Sequence, residues 1–67
     1  MEKKFISNDM LTYRVWNELK PLLIKNGIKI IEEYEGKKCM LVKYLVNDEE
    51  YELINRLIKK IEYMLDI

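Results

Sequence analysis

The residue types that most often carry out protein chemistry are scarce in this chain. It has no histidine and one cysteine, Cys39, among 67 residues. Catalytic triads and Cys–His pairs need a histidine base, and structural zinc sites use four Cys or His ligands. Cys39 has apolar neighbours, and cysteine in such a setting usually packs as a small hydrophobic residue. We therefore expect no enzymatic activity, no cofactor and no metal.

Two groups of carboxylates could still do chemistry. Glu32, Glu33 and Glu35 are close in sequence, but on a strand only Glu33 and Glu35 would share a face. Nothing else in the sequence completes an acid–base or cation site there, and charge commonly protects an edge strand. The run 48–50, followed by Glu52, could dock on a basic partner, yet acids are also typical of the first turn of a helix. We favour the structural explanation for both groups.

Basic residues provide the only candidate nucleic-acid surface. The twelve Lys and Arg residues are balanced by twelve Asp and Glu, so the formal net charge is zero, whereas phosphate binding needs clustered positive charge. A small dimeric nucleic-acid-binding transcriptional regulator is therefore the alternative function, and nucleic acid is the less expected partner. Its binding residues would be Lys37, Lys38, Lys43, Arg56, Lys59 and Lys60.

Capping signals predict two helices. Ser7 is a favoured N-cap for a first helix that ends at Lys25, where Gly27 provides a left-handed stop after Asn26. Pro21 should kink this helix or divide it into 8–19 and 21–26. Asn47 and Glu50 form a capping box for a second helix that runs to about Met64.

Two strands lie between these helices. Residues 28–35 and 38–46 are rich in Ile, Val and Tyr, and a turn at Gly36 joins them. A Glu35-Gly36 loop with positive φ at Gly36 would pair Glu33 with Lys38, and a Gly36-Lys37 loop would shift that register; we prefer the first. The prediction is one domain, 1–67, of the α+β class: an α-β-β-α unit with two helices on a two-stranded antiparallel hairpin, after a loose lead-in at 1–6.

The apolar residues exceed what this small unit can bury. The second strand is apolar on both faces, and the second helix has a wide apolar arc, while two helices can cover only one face of a hairpin. Exposed apolar patches usually mark a contact, so we expect a homodimer. The expected dimer or sheet interface is Met40, Val42, Tyr44, Ile58 and Leu65.

The remaining apolar and aromatic residues suggest contact with another protein. Aromatic residues and Met are enriched at interface centres, and Trp16 is equally well explained as part of the core. The candidate partner-binding residues are Met10, Tyr13, Trp16, Ile24 and Tyr63.

The expected function is a small non-catalytic protein-binding module that occludes a partner surface stoichiometrically. A Lys, Ile, Asn and Glu bias without Ala is typical of an AT-rich coding source, which suggests a phage- or mobile-element-encoded inhibitor of a host defence system. The single cysteine, the lack of an apolar signal segment at the N-terminus and the absence of a membrane-length apolar run predict a cytoplasmic protein that does not span a membrane.

Overall fold

The apolar segment that ends at Val46 forms the central strand of the fold. The computed structural model describes residues 3–65, and in it this strand pairs on both sides with antiparallel neighbours, in the order β1-β3-β2. The fold is therefore α+β as predicted, but its sheet has three strands rather than two. The elements are β1 (Phe5–Thr12), α1 (Tyr13–Lys25), β2 (Lys29–Glu35), β3 (Cys39–Val46) and α2 (Asp48–Met64).

Strand β1 replaces the predicted start of the first helix. Ser7 is not an N-cap, because it pairs with Tyr44 of β3. The helix instead begins after Thr12, whose hydroxyl accepts a hydrogen bond from the backbone N–H of Val15 at 3.3 Å. The prediction of a loose lead-in is wrong for residues 5 and 6, which belong to β1, and residues 1 and 2 lie outside the described residues. Pairing with β3 outweighs the local helix signals, since β1 provides hydrogen-bond partners for the backbone groups along the second edge of β3.

Helix α1 is continuous through Pro21, so the predicted division into two halves is not found. Pro21 and Asn17 are both exposed, and the Asn17 carbonyl that loses its helical partner therefore faces water. The predicted end of the helix is confirmed. Gly27 has φ 71°, and the backbone N–H of Ile28 donates to the Leu23 carbonyl at 3.0 Å, as a Schellman stop requires.

The β2–β3 hairpin has a different register from either one predicted. Glu33 lies opposite Val42, and the loop consists of Lys37 and Lys38, closed by a 2.9 Å hydrogen bond from the Gly36 N–H to the Cys39 carbonyl. Gly36 does not have the predicted positive φ. Glycine is required at position 36 for another reason: a Cβ atom there would lie 2.9 Å from the Cys39 carbonyl oxygen.

Helix α2 matches its prediction. The Asn47 side chain accepts from the Glu50 N–H at 2.8 Å, and the Glu50 carboxylate accepts from the Asn47 N–H at 3.0 Å. This capping box provides a hydrogen-bond acceptor for each of two backbone N–H groups at the start of the helix. Together α1 and α2 cover one face of the sheet, and the core lies between the two layers. Its buried hydrophobic residues are Leu11, Val15, Trp16, Leu19, Leu23, Ile28, Met40, Val42, Tyr44, Val46, Ile54 and Ile61.

The largest fully buried side chain, Tyr44, gives a direct test of this packing. Its hydroxyl has no partner with normal hydrogen-bond geometry within residues 3–65, so its removal should sacrifice little. We expect Tyr44→Phe to change the free energy of unfolding by less than about 1 kcal/mol in either direction, measured by urea denaturation. The matched control is Tyr13→Phe, which loses a hydrogen bond from its hydroxyl to the Gly36 carbonyl and should be less stable than the native chain. A clear loss of stability in Tyr44→Phe would contradict the packing described.

Candidate protein-interaction face

The side of the sheet away from the helices carries partly exposed apolar side chains. On β3 the alternation is sharp: Met40, Val42 and Tyr44 are buried under the helices, while Leu41 is 40% exposed and Lys43 is also exposed. We call the side of the sheet away from the helices the open face. The apolar residues that strand alternation and register place there are Ile6, Met10, Tyr34, Leu41 and Leu45.

A shallow groove of about 540 Å³ runs across the open face. Met10 and Tyr34 lie on opposite sides of Leu41, because each pairs with it across the sheet. Met10 is 71% exposed and Tyr34 is 61% exposed. A Met, a Tyr and a Leu side by side form the kind of adaptable apolar surface that is enriched at interface centres.

A polar row crosses the open face beside this apolar group. Lys43 is flanked by Asn8 on β1 and Glu32 on β2, and its Nζ lies 3.8 Å from a Glu32 carboxylate oxygen. Both side chains are at least half exposed, so this pair contributes little to stability. It instead gives the open face fixed polar groups with no net charge next to the apolar ones.

The five predicted partner-binding residues are not brought together. Met10 lies on the open face, but Ile24 and Tyr63 are exposed on the helix layer. Trp16 is a core residue, only 4% exposed, and its indole N–H donates to the Glu33 carboxylate at 3.1 Å. Tyr13 is half-buried, with its hydroxyl bonded to the Gly36 carbonyl.

The residues predicted to form a dimer or sheet interface do not lie on the open face either. Met40, Val42 and Tyr44 face the helices inside the single chain, so they have no surface to offer a second copy. Ile58 and Leu65 are partly buried against the same core. The pattern of β3 correctly indicated two apolar faces; the outward one is Leu41 and Leu45, which the prediction did not select. Ile6 and Tyr34 were missed as well, because their position depends on the pairing of β1 and on the hairpin register.

The predicted nucleic-acid residues are spread over three surfaces. Lys37 and Lys38 form the β2–β3 loop, and Lys43 is on the open face. The other three, Arg56, Lys59 and Lys60, are exposed on α2, on the opposite side of the sheet from Lys43. No one face collects all six.

Asp9 and Tyr44 form the most perturbed titratable pair in the fold. Burial raises the pKa of Asp9 above 3.8, and the Tyr44 hydroxyl offsets part of this rise without reaching standard hydrogen-bond geometry. Burial, followed by the negative charge of Asp9, raises the pKa of Tyr44, so this phenol stays protonated. Tyr44 is fully buried and cannot meet a substrate, which makes the pair a structural feature rather than an active site.

Other kinds of site find no support in the part of the chain that the structure describes. Residues 3–65 contain no group of three or more Cys, Asp or Glu side chains arranged to hold a metal ion. Within the same range, no helix has the length and apolar character needed to cross a membrane. Comparison with known proteins adds nothing further, because no family model, no curated protein and no solved structure matches the chain.

The raised pKa of Asp9 predicts a specific pH dependence of stability. The folded state holds the Asp9 proton more tightly than the unfolded chain, so the charged carboxylate opposes folding. Below pH 3.8 Asp9 is protonated in both states, and its charge does not reduce stability. The loss of stability grows as pH rises from 3.8 to the higher pKa of the folded state and is complete above that pKa. Asp9→Asn should therefore raise the free energy of unfolding more at about pH 7 than at about pH 3.

Urea denaturation at both pH values measures the effect. Glu52→Gln is the control, since it removes one carboxylate from the exposed side of α2. An equal effect of Asp9→Asn at both pH values would show that burial of Asp9 does not perturb its titration.

Proposed function

We propose that this protein is a non-catalytic protein-binding module that occludes a partner surface through its open face. The observation that supports this most directly is the asymmetry of the sheet: both helices lie on one side, and Ile6, Met10, Tyr34, Leu41 and Leu45 are left on the other. Met10, Leu41 and Tyr34 form an exposed apolar group, and the polar row of Lys43 separates this group from Ile6 and Leu45. An exposed apolar group beside polar side chains is typical of an interaction site.

The total surface of the chain supports the same proposal. Its accessible surface is 5224 Å², whereas a folded monomer of 8.2 kDa is expected to expose about 4,500 Å². The uncovered sheet face contributes to this excess, and a partner on the open face would bury part of it.

A stoichiometric inhibitor is the form of this function that we favour. The open face offers apolar contact and a neutral polar row, which suit occupation of another surface rather than turnover of a substrate. The narrower proposal of a phage- or mobile-element-encoded inhibitor of a host defence system rests on the AT-rich type of composition alone.

A second copy is the competing occupant of the open face. Three strands about 26 Å long at about 4.8 Å spacing give a face of about 370 Å² in projection, at the small end for specific interfaces. A face-to-face dimer would also stack Lys43 over its own copy if the two-fold axis ran along β3 or crossed it at Lys43. We therefore place a different protein ahead of self-association.

Substitution of Met10 tests the proposal. Met10→Lys introduces a charge at the most exposed residue of the apolar group formed by Met10, Leu41 and Tyr34, so we expect an about tenfold or greater loss of partner affinity without loss of folding. The matched control is Tyr63→Lys, because Tyr63 is 87% exposed on α2 and should change affinity less than about twofold.

The measurement is quantitative capture from a bacterial lysate with the full chain and both variants as bait, followed by light scattering of the chain alone. Equal capture by the native chain and Met10→Lys would contradict the role of the open face. A particle of twice 8.2 kDa that Met10→Lys dissociates would identify a second copy as the occupant instead.

A further inference from the structure

The two edges of the sheet are protected to very different degrees. Strand β2 has four charged residues among seven, Lys29, Glu32, Glu33 and Glu35, and a register irregularity between Ile30 and Glu32. Charges and bulges are the usual means by which proteins prevent another strand from pairing with an edge.

Strand β1 has far less of this protection. It pairs with β3 in unbroken register over eight residues, from Phe5 to Thr12, and contains no proline and no basic residue. Asp9 is its single charge. An edge strand presents a row of backbone N–H and C=O groups that a further strand can pair with. The outer edge of β1 is therefore a regular template of hydrogen-bonding groups, continuous with the open face at Ile6 and Met10.

We propose that β1 binds an extended segment of a partner protein as a fourth strand of the sheet. This inference rests on the proposed function and extends it, because the added strand enlarges the small open face at the edge where Met10 lies. Backbone hydrogen bonds would hold the segment, and alternate side chains would distinguish one segment from another.

The ordinary widths of helices and strands favour a lone strand over a second copy at this edge. Two packed helices are about 20 Å wide with their side chains, whereas three strands span about 14 Å. Two copies joined through β1 would place four helices, about 40 Å wide in all, over six strands that span about 29 Å. An extended segment carries no helices of its own and avoids this conflict.

The side chains of β1 indicate what the bound segment should contain. On the open face it would lie beside Ile6 and Met10, so its residues there should be apolar. On the helix side it would pass Asp9, whose carboxylate is partly buried, so a hydrogen-bond donor or basic residue fits opposite. The expected ligand is an extended peptide with apolar residues at alternate positions and one polar donor between them.

Proline substitutions can block the edge without a change in side-chain charge. Successive N–H groups of a strand point to opposite sides, so one of Ser7 and Asn8 donates toward β3 and the other points outward. Of Ser7→Pro and Asn8→Pro, one should lose stability and the other should fold normally with its outer edge blocked. The folded member of the pair, identified by its thermal midpoint, is the test variant. The matched control is Ile31→Pro on β2, because Ile31 is uncharged and lies at the register irregularity, where a strand tolerates proline.

The probe is a phage-displayed library of random twelve-residue peptides, selected on the full native chain. We expect alternating apolar peptides whose affinity falls about tenfold or more with the β1 proline variant and less than about twofold with the β2 variant. Amide hydrogen exchange should show outward N–H groups of β1 becoming protected when the peptide binds.

Three results would overturn the proposal: no selected peptide, selected peptides that protect β2 or a helix, or equal binding by the β1 proline variant. Protection of β1 in the chain alone, together with a concentration-dependent dimer, would replace the peptide with a second copy. If Met10→Lys abolishes partner capture and the β1 proline variant does not, strand addition fails while the role of the open face stands.

Discussion

The burial of one face of β3 is the constraint on which the rest of the fold depends. Val42, Tyr44 and Val46 are at most 1% exposed, and both helices and both neighbouring strands meet at this strand. A central strand needs a hydrogen-bonding partner at each edge, because unpaired buried backbone groups are costly. The chain meets that need by using residues 5–12 as β1, although their local pattern favours a helix. The pairing of β1 with β3 also determines that Thr12 is the N-cap of α1.

The elements that could be predicted are those whose signals lie within a few residues. The capping box of Asn47 and Glu50 and the glycine stop at Gly27 each involve short-range hydrogen bonds, and both are found as expected. The prediction of helix α2 was correct for the same reason. The α+β class was also correct, because apolar residues on both faces of β3 require a sheet whichever strand completes it.

The elements that were wrong depend on contacts distant in sequence. Strand β1 is defined by pairs such as Ser7 with Tyr44, which no local pattern reveals. The hairpin register is held by α1, since Trp16 and Lys20 both bond the Glu33 carboxylate, at 3.1 Å and 3.0 Å. The prediction of the site depended on the same contacts, so of the five residues predicted to bind a partner only Met10 is on the open face. Tyr34 and Ile6 could be placed there only once both registers were known.

The open face and the β1 edge follow from one limitation of size. Sixty-seven residues without a disulfide framework supply two helices, and two helices cover one side of three strands. A larger domain would bury the second face under further elements. Here Leu41 and Tyr34 stay outside while the charged residues of β2 protect only one edge, so the unprotected edge and the uncovered face meet at Met10. Charge along β1, as along β2, would hinder the pairing of another strand with this edge. A regular, nearly uncharged edge beside an apolar group is the combination on which the proposed contact with a partner rests.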